Sequence, residues 1–221
     1  GRVRGILSAF GLVPDWSAGE RTAAWLQQAA DRRLLLLGAP DYPPLLAAIP
    51  DPPPLLFVEG SPSALVRPQV AVVGSRRATP FAREFAEQIA AALTRSGLVV
   101  TSGLARGVDG AAHAGALAAG GYTIAVFGCG IDHVYPRQHA ALADRVRAAG
   151  ALISEFPLGT GPRPGHFPRR NRIISGLALG TLVVEAAATS GSLVTARHAL
   201  EQGREVFAVP GAVRNPLSRG C

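Results

Sequence analysis

Four arginines, Arg163, Arg169, Arg170 and Arg172, stand close together with His166, Phe167 and Asn171 among them, and no acid falls between residues 156 and 172. Guanidinium groups grip phosphate oxygens, and aromatic rings stack on unpaired bases, so this mixture suits a flexible single strand of nucleic acid. A helix beginning near Arg169 and running to Leu179 would put Arg169 and Arg172 on one face, with Ile173, Ile174 and Leu177 towards a core. The plainer alternative is a solvated basic loop packed on Phe167.

Three further clusters carry chemical groups. Gly74-Ser75-Arg76 follows an apolar run, so its N–H groups could face a phosphate while Arg76 supplies charge. It does not match Gly-x-Gly-x-x-Gly, and a Walker A loop is excluded because the chain has no lysine. Ser102-Gly103-Leu104-Ala105-Arg106-Gly107-Val108-Asp109 offers the N–H groups of Ser102 and Gly103 together with Arg106. Asp109 precedes His113 by four residues, the spacing of a helical pair; with no nucleophile placed beside it, the pair reads as orienting rather than catalytic. Glu185 precedes Ser190-Gly191-Ser192, which opens a helix and offers an anion site at its N-terminus. Glu185 itself fits an acceptor for neighbouring loop N–H groups, a general base acting on a nucleotide, or a partner for a ribose hydroxyl. His133, His139 and His198 show no metal-ligand spacing, and two cysteines cannot build a four-ligand site, so neither metal nor cofactor is expected. Cys129 reads as a small buried residue.

Six apolar runs must position these groups: residues 70–73, 98–100, 123–127, 151–153, 181–184 and 206–209, each ending in small or polar residues. Continuous apolar strands separated by helix-length segments imply an α/β fold, a parallel sheet with helices on both faces. Helices are expected over about 80–95, 108–119, 138–149 and 192–202. The carboxyl ends of such strands share one edge, where open α/β sheets bind ligands. Residues 1–38 read as a small helical module: Ile6, Leu7, Phe10 and Leu12 suit one helix, and Ser17 with Glu20 suits a capping box for a second. Seven prolines between Pro40 and Pro54 force an extended linker. The domain boundary falls near residue 60, giving a module over 1–60 and a larger domain over 61–221, with residues 55–58 as an edge strand.

The 221 residues leave room for that domain and its appendage. Hydrophobic content of 48% fits a globular protein, and mean hydropathy is +0.24. No apolar run approaches the roughly 18 residues of a membrane span, and no leader opens the chain, so a soluble cytoplasmic protein is expected. The chain contains no methionine, starts at Gly1 and stops after a turn-like stretch, which suggests a piece of a longer protein. Its net charge is +7. Residues 1–60 carry five arginines against six acids, whereas residues 61–221 carry 17 against nine, so the excess charge belongs to the α/β part. A domain that meets polyanions has that asymmetry.

Taken in order, the motifs resemble the DprA/Smf (DNA-processing protein A) family. The matching stretches are Val70-Ala71-Val72-Val73-Gly74-Ser75-Arg76, Ser102 to Asp109 with Ala112-His113, Tyr135-Pro136, Ser154-Glu155, and Phe167 to Leu177. Val184-Glu185-Ala186, Ser190-Gly191-Ser192-Leu193 and Val209-Pro210-Gly211 complete the set. The resemblance implies an extended Rossmann-like domain that binds single-stranded DNA, dimerises, and loads the RecA recombinase in natural transformation, by binding and handover rather than turnover. It implies a basic pocket at the strand ends holding Arg76, Arg137 and Arg163, with Phe167 beside them; Phe167 is then expected to stack a base. The DNA-binding set is then Gly74, Ser75, Arg76, Ser102, Gly103, Arg106, Arg137, Arg163, Phe167, Arg169, Arg170, Asn171, Ser190 and Ser192. Asp109, His113 and Glu185 would orient it. One rival is a nucleotide-processing enzyme, because residues 185–192 are similar to the phosphate loop of lysine-decarboxylase-like phosphoribohydrolases, with Glu185 as its working carboxylate. Another is a structural dimer module whose arginines reflect codon bias.

Overall fold

A strand covered on both faces must be apolar throughout or satisfy every polar group it carries, and the inner strands of this chain do both. The computed structural model describes residues 16–212 and 214–221. The helix expected over Ile6, Leu7, Phe10 and Leu12 lies outside them.

The described chain opens with α1 (Trp16–Gln28), β1 (Arg32–Leu36), the single-turn α2 (Pro44–Ala47) and β2 (Leu55–Gly60). Two expectations are corrected here. Residues 32–36, expected to be helical, form a strand because they pair antiparallel with β2 and bury Leu35 there; tertiary pairing overrides the weak helical preference of a leucine run. For the same reason β2 is not an edge: it sits between β1 and β6. Ser17 lies inside the first turn of α1 rather than ahead of it.

All six apolar runs form strands. After a 3-10 turn come β3 (Gln69–Val73), α3 (Pro80–Arg95), β4 (Val99–Ser102), α4 (Val108–Ala118) and β5 (Thr123–Val126). Then follow α5 (Ala140–Ala149), β6 (Ala151–Ser154), α6 (His166–Leu177), β7 (Gly180–Val183), α7 (Ser192–Glu201) and β8 (Glu205–Ala208). Helix α6 starts three residues earlier than expected, because Pro168 falls in its first turn, where a missing N–H costs nothing.

Strand order is β1-β2-β6-β5-β4-β3-β7-β8. The pairs from β3 to β8 are parallel, and β1 and β2 extend the sheet antiparallel. Alternate residues divide the core. Ala71, Val73, Ile124, Val126 and Ile153 pack with Ile173, Ile174 and Leu177 of α6. Val72 and Val100 pack against Ala82, Ala86 and Ala90 of α3 and Val108, Ala112 and Ala116 of α4. Ala125 and Leu152 meet Ala143 and Val146 of α5, along with Trp25 of α1. Winding runs from β3 to β6 in one direction and then jumps back to β7 on the other side of β3. That reversal opens a crevice between the carboxyl ends of β3 and β7.

Candidate nucleic-acid interface

The turn after β3 is stitched to its neighbours by backbone. The Ser75 N–H donates to Glu185 O at 2.7 Å, and Val108 N–H donates to Ser75 O at 3.2 Å. Gly107 makes the approach to Ser75 possible. Its φ is +75°, and a Cβ there would lie 2.1 Å from Ser75 O. Gly107→Ala is therefore expected to cost on the order of 1–3 kcal/mol for the backbone alone, read as a lowered thermal midpoint. The Glu185 carboxylate is buried, and each of its oxygens has a partner: one accepts from Thr79 N–H at 3.2 Å and the other from Thr79 Oγ1 at 2.8 Å. Thr79 in turn caps α3 by accepting from Ala82 N–H.

The loop after β4 is built round two buried charged groups, Asp109 and Arg170. Asp109 Oδ2 accepts from Gly103 N–H at 3.2 Å and Ala105 N–H at 3.3 Å. Arg170 reaches in from α6 and donates to Gly103 O at 2.8 Å and to Val126 O. Gly103 lets it lie close, since a Cβ would come within 2.7 Å of the guanidinium carbon. Burial lowers Arg170 to about 10, an effect that Asp109 resists. Burial raises Asp109, while Arg170 and the amides of Ala105 and Gly103 hold it down. Leu104, between these anchors, adopts a positive φ of 58° and is fully buried. His113 does not pair with Asp109. Its Nδ1 lies 2.7 Å from Thr123 Oγ1, whose hydrogen goes to Val100 O, so Nδ1 is the donor. Burial first, then His139 and Arg170, lower its pKa to about 3.

These contacts revise the expected set. Ser102 is fully buried, with its hydroxyl donating to Val72 O. The N–H groups of Gly103 and Ser75 are taken up inside the protein, so neither is offered to an anion. Arg170 is a buried strut rather than a surface phosphate ligand, although its edge lines the groove described next. Arg169 points the other way, to Glu155 at 3.1 Å. Beside it Arg172 closes a two-pronged pair with Glu155 at 2.7 and 2.8 Å and reaches Asp51 at 2.9 Å. The reason is Glu155 at the end of β6, an acid just outside the acid-free run.

What remains converges. A groove runs along the carboxyl ends of the strands in two lobes, each of about 700 Å³. The inner lobe, at the β3/β7 crevice, is lined by Gly74, Ser75, Arg163, Asn171, Ser190 and Ser192. The outer lobe is lined by Arg106, His133, Arg137 and Gln138. Arg76, Arg77, Tyr135, Phe167 and Arg170 border both. Arg76, Arg77, Arg106, Arg137 and Arg163 are exposed, and among the described residues none of them has an acid within ion-pair reach. Arg106 is steadied by Gln138 at 2.7 Å, and Asn171 donates to Gly191 O at 3.3 Å. Ser190 and Ser192 hydroxyls bond each other at 2.7 Å at the mouth of α7. Phe167 is half-buried, with the Arg76 guanidinium 5.1 Å from its ring centre and Tyr135 at 5.5 Å. Arg77 and Gln138 were not singled out from sequence; Arg77 had a signal in its adjacency to Arg76, and Gln138 had none. Among the described residues no group of acids, histidines and cysteines could hold a metal ion, and no helix is long and apolar enough to cross a membrane.

Comparison with known proteins agrees with this architecture. Residues 33–221 match the family described as DNA recombination-mediator protein A. Protein Smf of Escherichia coli is 52% identical over 202 residues, covering 91% of this chain and 54% of that protein. The chain thus spans about half the length of the curated relatives it matches. The crystal structure of DNA processing protein A from Streptococcus pneumoniae superposes with a TM-score of 0.83 at 42% identity, covering 90% of this chain and 70% of that one. DNA processing protein A from Helicobacter pylori, whose structure is described by its single-stranded DNA binding mode, gives a TM-score of 0.77 at 29% identity, covering 85% of each chain. A family match over most of the described residues, on the same Rossmann-like sheet, leaves one assignment: the chain belongs to the DNA recombination-mediator protein A (DprA/Smf) family.

Proposed function

We propose that this chain binds single-stranded DNA along the two-lobed groove and acts as a recombination mediator rather than as an enzyme. The carrying observation is that Arg76, Arg77, Arg106, Arg137 and Arg163 are exposed, unpaired with acids among the described residues, and gathered on one groove. Guanidinium groups left without counter-charges attract a polyanion and release its condensed counterions. Clefts with aromatic rings between them suit unpaired bases better than the smooth flank of a duplex. The kinship with a Helicobacter pylori protein described by single-stranded DNA binding supports the same reading. Homodimerisation, transfer of the strand to RecA recombinase, and a cytoplasmic setting are carried over from the family as parts of this proposal.

The placement of Glu185 weighs against the phosphoribohydrolase-like rival. Both Glu185 oxygens are engaged by Thr79, and the residue lines neither lobe. A base-release assay on nucleoside monophosphates is expected to give no product.

The deciding experiment is fluorescence anisotropy of labelled oligo-dT across a salt series. If each of the five arginines neutralises one phosphate, log K falls against log salt with a slope of about −3.5, with weaker binding of duplex at matched salt. A slope shallower than about −1, or preference for duplex, would overturn the proposal.

A further inference from the structure

We propose that Tyr135 is the ring on which a base stacks, and that Tyr135 backed by Phe167 is a wedge that holds two neighbouring bases apart, one in each lobe. The inference rests on the DNA-binding reading above and adds to it how the strand is shaped.

Among the groove-lining residues Tyr135 and Phe167 carry the six-membered aromatic rings and both border both lobes, whereas the His133 imidazole lines only the outer one. They stand on the partition rather than on a floor. Phe167 has little face left to offer. Arg76 and Arg170 lie 5.1 and 6.0 Å from its ring centre, Tyr135 lies at 5.5 Å, and Gly128 abuts its edge, where a Cβ would come within 2.8 Å of Cδ1. Tyr135 is 47% exposed and its ring is tilted 37° against Phe167. Phe167 therefore braces Tyr135, and Tyr135 supplies the open face.

The charges place the strand across this partition. Arg163 lines only the inner lobe, Arg106 and Arg137 only the outer, and Arg76 and Arg77 stand between. A backbone following these guanidinium groups must cross the Tyr135–Phe167 ridge. Stacked bases along a strand sit about 3.4 Å apart, and a ring inserted at one step needs about twice that, so the step must open. Ring-on-base contact repays the lost stacking without reading sequence, because every base has a π-face.

The test uses the whole chain with short oligo-dT carrying two adjacent 2-aminopurines, whose long-wavelength circular dichroism couplet reports stacking between them. Wild-type binding is expected to diminish the couplet. Tyr135→Ala is expected to keep it and to bind about tenfold more weakly with an unchanged salt slope, since a stacking contact but no phosphate contact is lost. Tyr135→Phe, which keeps the ring, should behave as wild type. A couplet that persists in the wild-type complex, or full affinity in Tyr135→Ala, overturns the wedge while leaving the groove standing. Failure of the wild type to bind oligo-dT overturns the groove itself.

Discussion

Replacing Arg76 and Arg163 together by alanine is expected to weaken oligo-dT binding about 25-fold at 0.1 M salt. Each single-strand phosphate contact contributes about −0.7 to the salt slope, hence about fivefold in affinity at that concentration. The slope should therefore become shallower by about 1.4, and the two curves should converge towards molar salt. The pair is informative because the residues are remote in sequence: Arg76 follows β3, and Arg163 lies in the Gly- and Pro-rich connection before α6. Both are exposed, and neither is ion-paired to an acid among the described residues, so the fold should tolerate their loss. Thermal midpoints equal to wild type would assign the change to binding. Affinity within about twofold of wild type, against the fivefold expected per contact, would remove this groove as the place where phosphates are held.

Arg170→Ala is expected to act on stability instead, by about 3–5 kcal/mol, because it leaves the buried carbonyls of Gly103 and Val126 without their donor, opens a cavity and removes the positive field that holds Asp109 down. For a domain of this size that is a fall of about 10 °C in thermal midpoint. The pH dependence has a definite sign. Asp109 has a folded pKa raised above the ordinary 3.8, so the folded state holds its proton more tightly than the unfolded chain. Its contribution declines as pH rises from about 4 through the folded value, then levels off. Without the Arg170 charge the folded pKa rises further, so the variant's deficit should be largest near neutrality and shrink towards pH 4. Adding Asp109→Asn to Arg170→Ala should recover part of the loss and flatten the profile, because the charge that burial penalises is gone. Calorimetry from pH 4 to 8 checks both, and a deficit independent of pH would refute the electrostatic influence of Arg170 on Asp109.

Much of the fold was legible because the apolar strands are continuous and their helices regular; β3 to β8 each coincide with a run read from the chain. The amino-terminal part was harder. Arg32-Arg33-Leu34-Leu35-Leu36 has no alternation, and only the partner β2 makes it a strand. In the site, residue types pointed to the correct loops but could not divide their labour. Arg169 and Arg170 are adjacent in a helix, so one faces Glu155 and the other the sheet interior, a difference of rotation rather than composition. Two of the expected amides, those of Ser75 and Gly103, turn inward for a related reason: whether a loop N–H is offered outward depends on which carbonyl or carboxylate lies behind it, here Glu185 and Asp109. Tyr135 entered the sequence reading only as part of Tyr135-Pro136, because a lone tyrosine gives no sign of the two lobes it borders.

Every fixed cation on this groove is a guanidinium, and the chain has no lysine anywhere. Acylation of side-chain amines, which elsewhere erases positive charge and releases nucleic acid, has nothing here to modify. Amine-coupling labels will likewise spare the groove, whereas dicarbonyl reagents selective for arginine should attack it, and bound DNA should shield those side chains from them.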